Sequence, residues 1–379
     1  MIINNCRVCG HKFFKEPLLK YGNMPKAAQF LPDVNSLQND KGISLEIYQC
    51  SGCGLVQLNC GPVPYYKEVI RAAGISPEMK TFRLKQFATF VQKYSLARKK
   101  VIEIGCGRGE YLSLMQQCDV KVYGLEDSQE SVNHCRKNGI NVSKGFIQNK
   151  SDELNNAPFD AFFILNFLEH LPDPNSVIRG IYNNLSDDAV GLIEVPNFDM
   201  ILRKKLFSEF IVDHLFYFNK ETLSLALKLN GFEIIECHDI FHDYIISAVV
   251  KKRKKLDISY FYEHQKKIKK DIEKYLNQYK SKKVAIWGAG HQALAIISLI
   301  NLADKIKYVV DSAVFKQGKY TPATHIPIVS PEQLYSDQVD AIIIITGGYS
   351  DEVVKIIQQK YANINIAVLR DYGLEIIKN

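Results

Sequence analysis

Residues 101–109, Val-Ile-Glu-Ile-Gly-Cys-Gly-Arg-Gly, constrain this chain more than any other stretch. A run that reads as a buried strand passes directly into three glycines at alternate positions, Gly105, Gly107 and Gly109. Glycine reaches backbone conformations closed to other residues and lets a ligand come against the main chain. A second strand-like run, Lys-Val-Tyr-Gly-Leu-Glu, ends at Glu126. An acidic side chain at that point can accept hydrogen bonds from both hydroxyls of a ribose, and Asp127 is its competitor for the role. Gly-Phe-Ile-Gln at 145–148 falls where a third strand would end, against an adenine. Strands and helices alternate from about 99 to 252, so an α/β sheet with a nucleoside-bearing ligand at its carboxyl edge is expected.

A bare G-x-G-x-G does not separate a dinucleotide from other adenosine ligands. The order acid-x-G-x-G-x-G, with Glu103 as the acid, resembles the class I methyltransferases that use S-adenosylmethionine (SAM). Two later stretches share the likeness. Phe-Asp-Ala-Phe-Phe-Ile-Leu-Asn-Phe-Leu-Glu-His-Leu-Pro-Asp-Pro at 159–174 is similar to that family's fourth strand and the segment after it, and Val-Gly-Leu-Ile-Glu-Val-Pro-Asn at 190–197 to its fifth. The resemblance implies a loop that faces an amino acid and a thioether, not a pyrophosphate. Glu103, Gly105, Cys106, Gly107, Gly109, Glu126 and Asp127 are then candidate cofactor contacts, with Asn166 at a strand end and His170 at the cleft's border.

Cys6 and Cys9 stand as Cys-Arg-Val-Cys-Gly, and Cys50 and Cys53 as Cys-Ser-Gly-Cys-Gly. Each pair has the two-residue gap that lets one tight turn aim two thiolates at a metal, and a glycine follows each pair. The four predict a closed, structural zinc site with no open coordination position. Two unrelated reduced pairs or a redox site are the alternatives. Cys106, Cys118, Cys135 and Cys237 read as small buried hydrophobes.

After the fifth strand comes Phe-Ser-Glu-Phe-Ile-Val-Asp-His-Leu-Phe-Tyr-Phe-Asn at 207–219. Histidine is the natural base near neutral pH, and this is where methyltransferases carry acceptor contacts. Near the other end, Tyr-Val-Val-Asp-Ser-Ala-Val-Phe-Lys-Gln-Gly-Lys-Tyr-Thr-Pro-Ala-Thr-His-Ile-Pro-Ile at 308–328 is similar to a pattern of the sugar C-methyltransferases of deoxysugar biosynthesis. Nearly the whole chain resembles that family: a four-cysteine zinc domain, a SAM domain and a C-terminal Rossmann-like domain. The resemblance implies that Asp213 and His214 match the family's Glu-His pair, with His214 removing the proton alpha to the ketone of a nucleotide-linked sugar. It also implies acceptor contacts just before the SAM domain. There Tyr65 and Tyr66 keep the family's aromatics, its serines are absent, and Arg83 stands roughly where it has a histidine. Arginine stays charged and would suit a phosphate or an enolate. O-methylation of a sugar is therefore carried as the alternative, and a zinc-ribbon binding protein with a vestigial SAM fold as a third reading.

The expected division is a zinc-binding domain at 1–60, a helical connector at 61–98, the SAM domain at 99–252, a linker helix at 253–280 and a C-terminal Rossmann-like domain at 281–379. In the last, Gly288-x-Gly290-x-x-Ala293 followed by Asp311 also fits a dinucleotide fingerprint, with His291 and Tyr349 on the loops at strand ends. The family resemblance argues for a frame around the substrate cleft instead of an NAD site. The net charge of +7 includes the run Lys251–Lys255 and reads as a solvated face, so neither nucleic acid nor a membrane surface is an expected partner. No apolar run is long enough to span a bilayer and no export signal opens the chain, which predicts a cytoplasmic protein without a disulfide framework.

Overall fold

The computed structural model describes residues 2–29, 31–67, 75–280 and 283–377. The chain divides into two compact units, Met1–Lys255 and Leu256–Asn379.

The first unit opens with the cysteine turns and three short antiparallel strands: β1 (Leu19–Met24), β2 (Ile43–Gln49) and β3 (Val56–Leu58). Helix α1 (Pro77–Lys93) follows. Ser76 caps it by accepting from the Met79 amide, and Pro77 occupies a first-turn position where no intrahelical donor is lost. The central sheet then builds as β4 (Lys100–Ile104), α2 (Glu110–Gln116), β5 (Lys121–Glu126), α3 (Gln129–Lys137), β6 (Val142–Lys144), β7 (Phe159–Leu165), α4 (Pro174–Asn183) and β8 (Leu185–Pro196). After α5 (Phe198–Lys204), β9 (Phe216–Tyr217) and α6 (Lys220–Leu229), the chain closes with the hairpin β10 (Phe232–Ile240) and β11 (Ile245–Lys252).

The seven strands of this sheet lie in the order β10-β11-β8-β7-β4-β5-β6. β4 to β8 are parallel, and β11 enters antiparallel to β8. This is the class I SAM methyltransferase fold. The order reverses at β4, between β7 and β5, and crevices at such reversals receive ligands. Alternate residues feed two cores, because strand side chains alternate between faces. Ile102, Ile104, Phe162 and Ile164 lie in one. Val101, Ala161, Phe163 and Leu165 lie in the other, with Phe87 of α1 and Leu112 of α2.

β9 is not a strand of the central sheet; it pairs antiparallel with β3, giving the N-terminal sheet its fourth strand. The cysteine segment is thus tied to the residues that follow His214, and Cys6, Val8 and Cys50 share a core with Phe216 and Phe218.

The second unit begins with α7 (Tyr260–Leu276), the segment expected as a linker helix. Its apolar stripe, Ile268, Ile272, Tyr275 and Leu276, is buried with Ile286 and Ile297, so the helix is part of this unit's core. The stripe recurs at helical spacing and needs an apolar partner, which a free-standing connector would lack. The sheet contains β12 (Val284–Trp287), β13 (Val309–Val310), β14 (Ile328–Val329), β15 (Ala341–Ile344), β16 (Asn365–Arg370) and β17 (Gly373–Ile377), in the order β14-β13-β12-β15-β16-β17. α8 (His291–Leu299), α9 (Gln333–Ser336) and α10 (Ser350–Lys360) complete it. No helix among the described residues is long and apolar enough to cross a membrane.

Candidate functional site

The glycine loop leaves β4 with φ of +69° at Gly105, +54° at Gly107 and +81° at Gly109. A side chain would be strained at all three positions. The Gly107 amide donates to one Glu126 carboxylate oxygen at 2.9 Å, and the Ser128 amide donates to the other at 2.9 Å. Glu126 is buried at the end of β5, and the two amides hold its carboxylate oxygens in place. A cleft runs beside it, lined by Gly105, Glu126, Asp127, Phe146, Phe167 and Lys67 among others. Phe146 stands edge-on to Tyr66 and to Phe167, and the Lys67 ammonium sits 5.2 Å from its ring centroid. These aromatic walls suit the flat face of an adenine.

Three expected contacts are placed differently from one another. Asn166 ends β7 in a left-handed conformation, φ +48°, and its buried Oδ1 has no hydrogen-bond partner among the described residues. A positive φ and an unused acceptor thus coincide at one strand end. Glu103 is fully buried on the face of β4 that carries Val101. Cys106 is also fully buried in that core, and its Sγ is where a Cβ on Gly124 would collide, so only its backbone can serve the loop.

The second group lies where the segment before β9 meets the end of β7. The Tyr65 hydroxyl donates to Asp213 Oδ1 at 2.8 Å, and the Ala28 amide donates to Oδ2 at 3.2 Å. Burial and the neighbouring carboxylate push the Tyr65 phenol up to about 12, so it remains a donor. His170 Nδ1 lies 2.8 Å from the Asp213 carbonyl oxygen, which fixes the hydrogen on Nδ1 and leaves Nε2 as an acceptor. The His170 and His214 rings meet edge to face at 4.8 Å. Burial, and then His170, lower the His214 pKa to about 3, so its imidazole is neutral at physiological pH. Glu169 was not singled out in the sequence. It is buried, its pKa is raised by burial to about 8, and its Oε2 has no partner among the described residues. Its carboxyl, His170 and His214 bring three ligand-type atoms within 4.8 Å of one another. Asp213, Tyr65, His214 and His170 are therefore grouped together, whereas Tyr66 packs against Phe146.

Arg83 contacts neither Asp213 nor His214. It is fully buried, pairs with Glu194 at the end of β8, and donates from Nη1 to Gln86 Oε1 at 2.7 Å. Gln86 and Glu194 were also not anticipated, because nothing local in the sequence brings a helix polar residue to a distant strand end.

Among the described residues the four cysteines 6, 9, 50 and 53 have their sulfurs within 4.8 Å of one another, with Cys6–Cys53 at 3.7 Å and Cys9–Cys50 at 3.4 Å. All four are free thiols. Tetrahedral bonds of about 2.3 Å place sulfurs roughly 3.8 Å apart, so the set fits zinc. Amides of Val8 and Gly52 and the Gln57 side chain donate toward Cys6 or Cys50 sulfur, as thiolates require.

In the second unit Gly288 has φ +113°, and the Ala289 amide donates to Asp311 at 2.8 Å, an echo of Gly107 and Glu126. Here, however, Asp311 also accepts from the Ala313 amide at 2.9 Å and from Lys316 Nζ at 2.8 Å. The Asp311…Lys316-Gln317-Gly318 pattern is an internal clasp on the acid that a dinucleotide ribose would need. His291 and Tyr349 are exposed.

Residues 79–237 match a family described as a methyltransferase domain, and residues 251–366 match one described as a C-methyltransferase C-terminal domain. C-methyltransferase NovU of Streptomyces niveus is 23% identical over an alignment covering 93% of this chain and 91% of the relative. The chain is a SAM-dependent methyltransferase. Over 24% of its length this methyltransferase also matches the ubiquinone biosynthesis O-methyltransferase of Pseudomonas entomophila (strain L48), at 34% identity and covering 41% of that protein. Among solved structures it is similar to the PH0226 protein of Pyrococcus horikoshii OT3, with a TM-score of 0.41, 17% identity, and coverage of 51% of this chain and 100% of that one.

Proposed function

We propose that this methyltransferase transfers a methyl group from SAM to carbon, next to the ketone of a nucleotide-linked sugar, and that His214 removes the proton. SAM, when bound, supplies a methyl group already activated on a sulfonium. Gly105–Gly109, Glu126 and the wall formed by Phe146 would hold its adenosine. The observation that carries the reading is a neutral, buried imidazole at His214, within a few ångströms of a second histidine and beside a carboxylate braced by Tyr65. A buried imidazole becomes a useful base when the charge it gains is matched by a charge formed beside it, and an enolate is that counter-charge. The electrons of the C–H bond pass into the enolate, whose carbon takes the methyl. The proton rests on His214 until water collects it. Asp213 is held by Tyr65 and the Ala28 amide, so it shapes the segment carrying His214.

The similarity to a C-methyltransferase over nearly the whole chain supports carbon as the acceptor. The partial match to O-methyltransferases supports a second reading, methylation of a sugar hydroxyl with the same base. The four cysteines are read as a structural zinc site that fixes the N-terminal sheet. A soluble, cytoplasmic enzyme with a small-molecule acceptor, and no nucleic-acid or membrane partner, fits the composition.

The test uses a 4-keto nucleotide sugar in deuterated water without SAM. Exchange at the carbon alpha to the ketone in the wild type, lost in His214→Ala while SAM still binds, is the expected result. Methyl transfer without any exchange would move the assignment to O-methylation. Unchanged turnover in His214→Ala would remove the base.

A further inference from the structure

Arg83 carries a donor edge that nothing in the described protein uses. Its side chain is fully buried in α1, one turn before Phe87, which packs on Phe163 of β7. One terminal nitrogen, Nη1, faces Glu194 and Gln86. The other two, Nε and Nη2, are buried without a hydrogen-bond partner among the described residues. These two nitrogens are on the same side of the guanidinium, so their N–H bonds run parallel. That is the edge that grips a carboxylate with two hydrogen bonds. Burying two such donors unmet is costly, and unmet donors at a strand end point to an absent partner.

The surroundings say which anion belongs there. The guanidinium carbon lies 5.0 Å from the ring centroid of Tyr111, the second residue of the helix that follows Gly109. Glu194 sits at the carboxyl end of β8, level with Leu165 at the end of β7. The adenosine side of the cleft is built from the ends of β5 and β6, around Glu126 and Phe146. A ligand anchored there and crossing the glycine loop reaches β7 and β8 with its other end. In SAM that end is an amino acid, bearing both a carboxylate and an ammonium. Asn166, whose amide donates to the Glu194 carbonyl at 2.8 Å, offers the unused acceptor Oδ1 in the same place.

We propose that the free edge of Arg83 receives the methionine carboxylate of SAM, and that Glu194 and Gln86 are positioning residues that hold the guanidinium for it. Gln86 Nε2 donates to Glu194 Oε1 at 2.5 Å, so the two acceptors on Nη1 are locked to each other. Arg83 then has no direct part in deprotonating the acceptor. The inference rests on the glycine loop as the SAM site, and the experiment separates the two claims.

The measurement is calorimetric binding of SAM and of decarboxylated SAM, which differ only in the carboxylate, to the full-length protein. Wild type should prefer SAM by about 30-fold or more, the scale of a bidentate charge-assisted pair. Arg83→Gln should bind both ligands with affinities within about threefold of each other. Because that change strands Glu194, the double variant Arg83→Gln/Glu194→Gln removes both charges and should show the same lost preference. Equal affinities in wild type overturn the proposal. So does a preference retained by both variants, the pattern expected if Arg83 is only a buried pair or serves a phosphate of the acceptor. Failure of wild type to bind either ligand would instead count against the glycine loop as the SAM site.

Discussion

The Tyr65 hydroxyl donates to Asp213 across 148 residues of sequence, at 2.8 Å and largely out of water. This bond joins the segment after β3 to the segment before β9. Both flank the strand pair that ties the cysteine region to the neighbourhood of His214. Tyr65→Phe leaves one Asp213 oxygen without its donor, at a cost of about 1–3 kcal/mol in stability. The expected kinetic outcome is a fall in kcat of roughly tenfold with an unchanged SAM dissociation constant, because Asp213 orients the base and does not touch the cofactor. Since the phenol titrates only near 12, the loss should be uniform from pH 6 to 9. A loss confined to one end of that range would contradict the assignment.

Two buried groups beside the site should pull stability in opposite directions with pH. His214 has an ordinary pKa of 6.5 when unfolded and about 3 when folded. Between those values the unfolded chain binds more protons, so stability falls as pH drops. Glu169 moves from 4.5 to about 8, so between those values the folded chain binds more protons and stability falls as pH rises. From pH 4.5 to 6.5 the two slopes oppose. Glu169→Gln should therefore gain stability with rising pH in that window relative to wild type, by up to about 1.4 kcal/mol per pH unit, and His214→Leu should lose it. His170, whose pKa burial also lowers, adds to the first trend. Urea unfolding midpoints of the three proteins at pH 4.5, 5.5 and 6.5 check the signs. Parallel curves would mean that neither group titrates in this range.

Much of this could be read from local sequence. A strand entering alternate glycines, with an acid closing the next strand, predicts the fold's ligand edge because each element is specified by its own residues. The cysteine turns are equally local, and the fold brings their four sulfurs within 4.8 Å of one another. What escaped depends on long-range packing. Nothing local singles out Glu169, and only its burial in the fold marks it as a carboxyl whose pKa is raised. Arg83 looked like an acceptor contact because it stood near a histidine of similar proteins. Its partner Glu194 comes from a strand more than a hundred residues away, which no spacing in α1 reveals. The helix expected as a linker belongs to a core because its stripe faces Ile286 and Ile297, contacts fixed only by the fold of the second unit.

Glu126 should serve two purposes that substitution can separate. Its oxygens accept from Gly107 and Ser128, and they face the cleft that would hold a ribose. Glu126→Ala removes the ribose acceptor and also releases the loop amide. SAM affinity should drop by about 30- to 100-fold, the scale of losing two charge-assisted hydrogen bonds. Glu126→Asp keeps the charge but shortens the reach and should lose less. Calorimetry with S-adenosylhomocysteine reads both. An Ala variant with wild-type affinity would show that Asp127 holds the ribose.

Removing the metal should disable the enzyme without emptying the SAM pocket. The cysteine turns pack in one core with Phe216 and Phe218, and the Leu58 amide donates to the Leu215 carbonyl next to His214. Four thiolates that lose their ion repel one another, and the turns can no longer hold β3 against β9. Titration with a mercurial should release about one zinc per chain. Turnover should then fall at least tenfold, while affinity for S-adenosylhomocysteine changes by less than about threefold, since Gly105–Gly109 follows β4 and Glu126 ends β5 in the seven-stranded sheet, whereas β3 and β9 belong to the four-stranded one. Cys50→Ser, which removes a buried ligand, should reproduce that split. Equal loss of cofactor binding would mean that the zinc region supports the whole first unit and not the position of His214. Full turnover after complete zinc release would remove the metal from the architecture of the site.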